Sequence, residues 1–284
     1  MSISSELSQL VFQKTERALL RLASSQQPES VHSFRTTTRR LQTLLEELLP
    51  ERDRNQKKLL KMLERIRKRA GKVRDLDVQL AALRSLRIPQ EPRRKTQLTH
   101  HLIELRAKHE KKLSKLLTKD TLYDIRKRLK RASREAEFKH SRDPLTVARE
   151  MLARVESPAG PVSEELLHQY RIVVKRARYA AEFAPKSTEA AQFIAELKRL
   201  QDAIGNWHDW LTLSHAAARR LGDVAQSSLV AALHNVTGGK FRHAVAALSG
   251  APTILRSVTP VRSEHSRKAS ARTPTIALQT DSAA

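Results

Sequence analysis

Two short stretches of this chain carry cations at helical spacing. In VHSFRTTTRRLQ, residues 31–42, His32, Arg35 and Arg39 follow one another at intervals of three and four residues; LHQYRIVVKRAR, residues 167–178, repeats the arrangement. His168 stands for His32, Tyr170 for Phe34, Arg171 for Arg35, Lys175 for Arg39 and Arg176 for Arg40. On a helix advancing about 100° per residue, His32, Arg35 and Arg39 fall within roughly 60° of one another, and Phe34, Leu41, Leu44, Leu45 and Leu48 gather on the opposite side. In the second copy Tyr170, Val173, Val174, Ala177 and Ala181 form the apolar face, with Arg171, Lys175 and Arg178 beside His168. Cations sharing a helix face can grip an anion: arginine forks two phosphoryl oxygens, and lysine acts as a point charge. No nucleophile, base and orienting group accompany them, so the chemistry expected is binding without catalysis.

A second pair of segments repeats in the same order. LERIRKRAGKVRDL from Leu63 aligns with LKRLQDAIGNWHDW from Leu197, pairing Gly71 with Gly205 and Asp75 with Asp209. His168 follows His32 by 136 residues and Gly205 follows Gly71 by 134, a nearly constant offset that predicts a duplicated helical unit. The helix carrying the first of these segments has an apolar stripe of Leu59, Met62, Leu63, Ile66, Ala70 and Val73 and a cationic stripe of Lys57, Lys61, Arg65, Lys68 and Lys72. Almost no carboxylates stand four residues after these cations to pair with them, so the stripe repels itself unless an anion is present. Lys108, Lys111, Lys112, Lys115 and Lys119 continue a similar line farther on.

The elements that must hold these rows are helices throughout. Leu, Ala, Arg, Lys and Glu dominate the 284 residues, with 4% aromatics and 7 glycines, which predicts an all-α fold. Turn signals predict helices over about 5–23, 28–50 and 53–70, the last continued or followed by a short successor after Gly71. Pro89 and Pro92 predict a loop before two basic helices at about 96–118 and 122–140, and Asp143–Pro144 reads as an N-cap and first turn. SPAGP, residues 157–161, predicts a linker between halves of about 1–156 and 162–249. Helices are expected after it over about 163–184, 188–204, 206–221 and 227–248, the last weakened by Gly238 and Gly239. In the first of these, Ile172, Tyr179 and Phe183 add an apolar stripe that predicts deep burial. Residues 250–284, rich in Ser, Thr, Pro and Arg without periodicity, are expected to be a disordered basic tail.

A formal charge of +24 stores self-repulsion that an anionic partner would relieve: nucleic acid, an anionic membrane surface or an inorganic polyanion. The chain has no cysteine, which excludes disulfides, thiolate zinc sites and a cysteine nucleophile. It shows no signal-peptide pattern and no run near the about 20 apolar residues of a membrane span, so a cytoplasmic location without membrane insertion is expected. No cofactor is expected, and no feature specifies an oligomeric state.

The motif H-x-[FY]-R-x-x-x-[RK]-R, present twice and each time followed by G-x-x-[RH]-D, resembles the conserved histidine α-helical domain family, CHAD, over roughly residues 5–248. The resemblance implies two four-helix bundles related by pseudo-two-fold symmetry, with a basic groove or pore between them that binds inorganic polyphosphate, and association with polyphosphate granules. Carried over by position, the implied binding set is His32, Arg35, Arg39, Arg40 and Arg74, with His168, Arg171, Lys175, Arg176 and His208 in the second half. The cationic stripe of residues 57–72, together with Arg178 and with Lys198 and Arg199 of the second aligned segment, extends it. His208 stands where Arg74 stands, so the halves need not bind equally.

Polyphosphate offers charge without bases or sugars, so its receptor needs rows of cations but no stacking platforms. A histidine in that field protonates more readily once phosphate binds, so affinity should rise as pH falls. DNA or RNA binding through the same helices is the alternative, and a phosphohydrolase a more distant one. For His32 and His168 a structural hydrogen bond and direct phosphate contact both remain open. Asp75, Asp77 and Asp209 are read as caps or partners of Arg74 before metal ligands, with no metal site expected. Trp207 and Trp210 are read as core residues. Glu135, Glu137 and Lys139 spell E-x-E-x-K, a phosphohydrolase signature that works on a strand; on a helix Glu137 points about 200° from Glu135, and the match is read as chance.

Overall fold

Helix-stopping and helix-capping residues set the frame. The computed structural model describes residues 3, 5–87, 91–136, 141–155 and 161–251. These hold α1 (Ser5–Ser24), α2 (Pro28–Thr43), a π-helical turn (Leu44–Leu48), α3 (Arg54–Ser85), α4 (Pro92–Ser114), α5 (Lys119–Glu135), α6 (Pro144–Ala153), α7 (Glu164–Ala181), α8 (Thr188–Leu221) and α9 (Ser228–Ser249). No strand occurs among the described residues, so the fold is all-α. Six helices begin on a side chain that takes up an otherwise orphaned backbone N–H: Asp53, Thr118, Asp143, Ser163, Ser187 and Ser227 accept from the residue three positions on. The expected Asp143–Pro144 start of α6 is among them.

Several boundaries differ from the sequence expectation. Gly205 does not end a helix: α8 runs through it, merging 188–204 and 206–221 into one element, and at Gly71 α3 takes the continuation, one of the two expected courses. A helical glycine costs about 1 kcal/mol against alanine. Buried side chains stay in phase on both sides, with Ile66 and Ala70 followed by Val73, and Leu200 and Ile204 followed by Trp207. α2 gives way at Leu44 to a wider turn in which the Leu49 N–H reaches the Leu44 carbonyl at 3.2 Å, and Leu44, Leu45 and Leu48 are all fully buried. α4 starts on Pro92, earlier than expected, and α5 stops at Glu135. Glu137 and Lys139 lie outside the described residues, as do 157–160 of the expected linker and the tail from 252.

Apolar packing joins the halves. The larger core draws Leu19, Phe34 and Leu63 from α1–α3, and Val174, Leu200 and Trp207 from α7 and α8. A second core fills the space between the far ends of α3 and α8, where Leu80 and Leu83 meet Leu98 and Leu102 of α4, Leu213 of α8 and Leu233 of α9. Burying each such side chain is worth about 1.5–3 kcal/mol. α2 packs on α7 and α3 on α8, so the two motif-bearing helices of each half face those of the other. A polar tie adds to this: the Glu91 carboxylate accepts from Ser227 Oγ at 2.8 Å and from the Leu229 N–H at 3.1 Å, capping α9 from the α3–α4 connection. Trp207 is 1% exposed and Trp210 packs against the second core, as expected of core aromatics.

Candidate polyanion groove

Where α2, α3, α7 and α8 meet, one face of each helix turns inward without filling the space. The residues involved keep strict helical spacing: Arg171, Lys175 and Arg178 on α7; Lys198, Gln201, Gly205 and Asp209 on α8; Arg74 and Val78 on α3; His32, Arg35 and Arg39 on α2. Together with Arg40 and Tyr179 they line a cavity of about 810 Å³. Nine cationic or potentially cationic side chains face it against the carboxylates of Asp75, Asp202 and Asp209.

The walls are electrostatically strained. Burial lowers the Lys175 pKa to about 8, assisted by repulsion from Arg39, Arg171, Arg35 and Arg178. Burial likewise disfavours charge on Arg35 and Arg171, only partly offset by Asp75 for the first and by Asp209 and Asp75 for the second. Asp209 is raised by burial despite Arg171. At the groove edge Glu182 takes up two cations, Arg40 Nε at 2.7 Å and Arg178 Nη1 at 3.0 Å. Arg40 and Arg178 also sit over the Tyr179 ring, at 5.8 and 5.0 Å from its centre.

Gly71 has a positional role. A Cβ there would come within 2.4 Å of Arg35 Nη1, which reaches toward the Arg67 carbonyl at 3.4 Å. The glycine therefore lets the Arg35 guanidinium lie across α3. Its counterpart Gly205 lines the groove with nothing within 4 Å of the same position.

Nine expected binding residues converge on the cavity: His32, Arg35, Arg39, Arg40, Arg74, Arg171, Lys175, Arg178 and Lys198. The others lie elsewhere. Lys57, Lys61, Arg65, Lys68 and Lys72 are exposed on the outer side of α3, because the groove-facing side of that helix is the line of Arg67, Gly71, Arg74 and Val78. Lys68 pairs with Glu64 at 2.9 Å. Arg199 is held by Glu196 and by the Ala247 carbonyl at 3.2 Å. Arg176 pairs with Glu47. His168 is exposed with its ring 5.5 Å from that of His208. His208 lies behind the groove beside Trp207, its Nδ1 shielded and without a hydrogen-bond partner among the described residues. Burial foremost, then Arg171, lowers its pKa to about 4. The pH coupling expected of a groove histidine therefore falls to His32, whose pKa is lowered by burial and by Arg74, Lys175, Arg35 and Arg40.

Two further observations correct the sequence reading. Ile172 does not join Tyr179 and Phe183 in the core; it is 45% exposed, because the partner helices cover only one side of α7. Asp77 pairs with Arg106 at 2.6 Å and not with Arg74, whereas Asp75 and Asp209 line the groove. No metal-ligating cluster occurs among the described residues.

Arg67 belongs to the site although neither motif contains it. With Arg39, Arg176 and Tyr179 it lines a smaller cavity of about 180 Å³ that shares Arg39 and Tyr179 with the main groove. The Nε atoms of Arg39 and Arg67 are both shielded and without a partner among the described residues. Burial, then repulsion from Arg39, disfavours the Arg67 charge. The signal in the sequence is its place four residues before Gly71, on the same helix face.

Comparison with known proteins bears on the whole arrangement. The crystal structure of the CHAD domain from the plant Ricinus communis shares the fold with a TM-score of 0.62, covering 90% of this chain and 93% of that chain at 17% identity. No curated protein matches the sequence. The family model described as CHAD domain matches residues 9–218, from α1 into α8, and so includes every helix that walls the groove. The chain belongs to the CHAD domain family.

Proposed function

We propose that this protein binds inorganic polyphosphate in the groove between α2, α3, α7 and α8, without cleaving it, and associates through it with polyphosphate granules in the cytoplasm. The observation that carries the reading is the lining of the groove: nine cationic or potentially cationic side chains face three carboxylates across a cavity of about 810 Å³, a space short of negative charge. Burial and four neighbouring arginines push the Lys175 pKa down to about 8 in keeping with that shortage. A polyanion supplies that charge, and phosphoryl oxygens match the forked donors of Arg35, Arg39 and Arg171. The lining favours polyphosphate over nucleic acid. Its one aromatic ring other than His32, among the described residues, is Tyr179, already covered by Arg40 and Arg178 and so withheld from a base.

Competition titration tests the reading. Long-chain polyphosphate is expected to hold the protein against duplex DNA supplied at equal charge concentration and moderate salt; displacement by the DNA would refute it. Both ligands bind more weakly as salt rises, so salt sensitivity alone does not separate them. Incubation with polyphosphate and Mg²⁺ or Mn²⁺ is expected to release no phosphate, and steady release would overturn the non-catalytic part.

A further inference from the structure

The exposed cations of α3 that do not enter the groove meet a matching row on α4. His109, half-buried on α4, marks the junction: Lys108 and Lys112 from its own helix, and Arg69 and Lys72 from α3, all disfavour its charged form, after burial itself. All four of these cations are exposed. His109 Nδ1 is shielded and has no hydrogen-bond partner among the described residues. α3 and α4 pack against each other, and helical spacing extends both rows, through Lys68 and Arg65 on one helix and Lys115 on the other. Few local carboxylates meet these rows: Glu110 and Asp77 are taken up by Arg106, at 2.7 and 2.6 Å, and Glu64 neutralises Lys68 alone. This double row is therefore not balanced by the fold, and like charges so arranged are destabilising until a counter-charge arrives.

The face is separate from the groove. Lys72 adjoins Gly71, on which the groove's Arg35 rests, but a step of one residue turns about 100° around the helix axis and carries Lys72 outward. One helix thus presents cations in two directions.

We propose that the α3–α4 face is a second polyanion site, which takes a separate segment of a phosphate polymer and makes the protein a cross-linker of polyphosphate chains. The proposal rests on the groove reading above and extends it from one binding site to two. A protein with two separately directed sites joins chains, and avidity raises its retention on a dense polymer well beyond either site alone.

The experiment uses the full chain and two variants. The face variant is Arg69→Ala, Lys108→Ala, Lys111→Ala and Lys112→Ala, all exposed positions outside the groove; the groove variant is Arg35→Ala, Arg39→Ala, Arg171→Ala and Lys175→Ala. Circular dichroism confirms that each is folded. Short-chain polyphosphate, too short to reach from one site to the other, is titrated calorimetrically. Two chains are expected to bind per wild-type protein and one per molecule of either variant. Long-chain polyphosphate is expected to make the wild type turbid at near-equivalent charge, and neither variant. If the face variant keeps the wild-type stoichiometry and turbidity, the second site is refuted while the groove stands. If the groove variant keeps them, the groove reading is refuted instead. Loss of duplex DNA binding by the face variant, with polyphosphate stoichiometry unchanged, would assign the face to nucleic acid and overturn the proposal.

Discussion

The two copies of the repeated motif are close in sequence and different in use. In the first, Gly71 gives up its side-chain space to the Arg35 guanidinium; in the second, Gly205 faces open groove. Arg74 lines the cavity, whereas His208, at the matching place, is folded behind it against Trp207 and held neutral. Lys175 replaces Arg39 and, unlike an arginine, can shed its proton near neutral pH. Arginines supply lasting charge in both copies, Arg35 and Arg171 among them, and the second copy adds a lysine whose charge depends on the ligand. A repeated pattern specifies where a residue stands on a helix; its neighbours decide what it does there.

The largest expected effect removes both copies at once. Charge-assisted hydrogen bonds are worth about 1.5–3 kcal/mol each, so the variant with Arg35, Arg39, Arg171 and Lys175 all replaced by alanine should lose at least about a thousandfold in polyphosphate affinity at low salt. Helical content by circular dichroism should hold, and its collapse would mean that these side chains build the fold.

Next comes the titratable copy. In the empty groove Lys175 is partly deprotonated at pH 8. A bound anion raises its pKa, so binding takes up a proton, and affinity should fall as pH rises from about 8 toward the higher pKa of the complex. Calorimetry at pH 8 in buffers of different ionisation enthalpy reads the uptake directly. Lys175→Arg should bind with almost none, and unchanged uptake in that variant would move the coupling to another group. The depressed pKa also means that the empty fold loses stability as pH falls from the normal lysine range toward 8. Added polyphosphate should recover that loss as a higher melting temperature near neutral pH.

Smaller again is the contrast between Arg74 and His208. Arg74→Ala should weaken polyphosphate binding by about tenfold, the loss of one charge-assisted contact. His208→Gln should leave it nearly unchanged, because a neutral ring outside the groove lining offers the ligand little. Equal losses in a binding titration would erase the distinction between the copies.

The smallest effects are at the glycines, and they should have opposite profiles. Gly205→Ala meets no neighbour and should stabilise α8 by about 0.5–1 kcal/mol, a rise of roughly 1–4 °C in melting temperature, with affinity little altered. Gly71→Ala should displace the flexible end of Arg35, weakening binding several-fold with little cost to the fold. Thermal melts and titrations of the pair decide it.

Much of this was legible before any coordinates. Apolar spacing yields the helices, and the paired motifs mark Arg35, Arg39, Arg171 and Lys175, all of which reach the groove. That the cationic stripe of α3 lies outside the groove is not legible in the sequence, because periodicity shows that a helix has two faces but not which partner meets each one. Lys57 and Lys61 point outward for want of a helix over them, while Arg67, part of no motif, turns inward because α2 and α7 come to lie there. Gly205 reads as a stop signal and Gly71 as either a stop or a continuation, whereas at both the packing on either side outweighs the cost of continuing the helix. His208 could not be distinguished from a ligand by spacing, since its burial beside Trp207 is set by tertiary contacts.

The shared core has a mechanical consequence. Side chains from both halves interdigitate in each apolar cluster, so no plane divides the molecule into bodies that swing apart without exposing leucine to water. On the proposed function, a polymer would enter this frame by threading or lateral insertion between its walls, and accommodation would fall to the long, jointed side chains of arginine and lysine. Such a frame would tolerate any phase of a repeating ligand, and a bound chain would slide along it without being released.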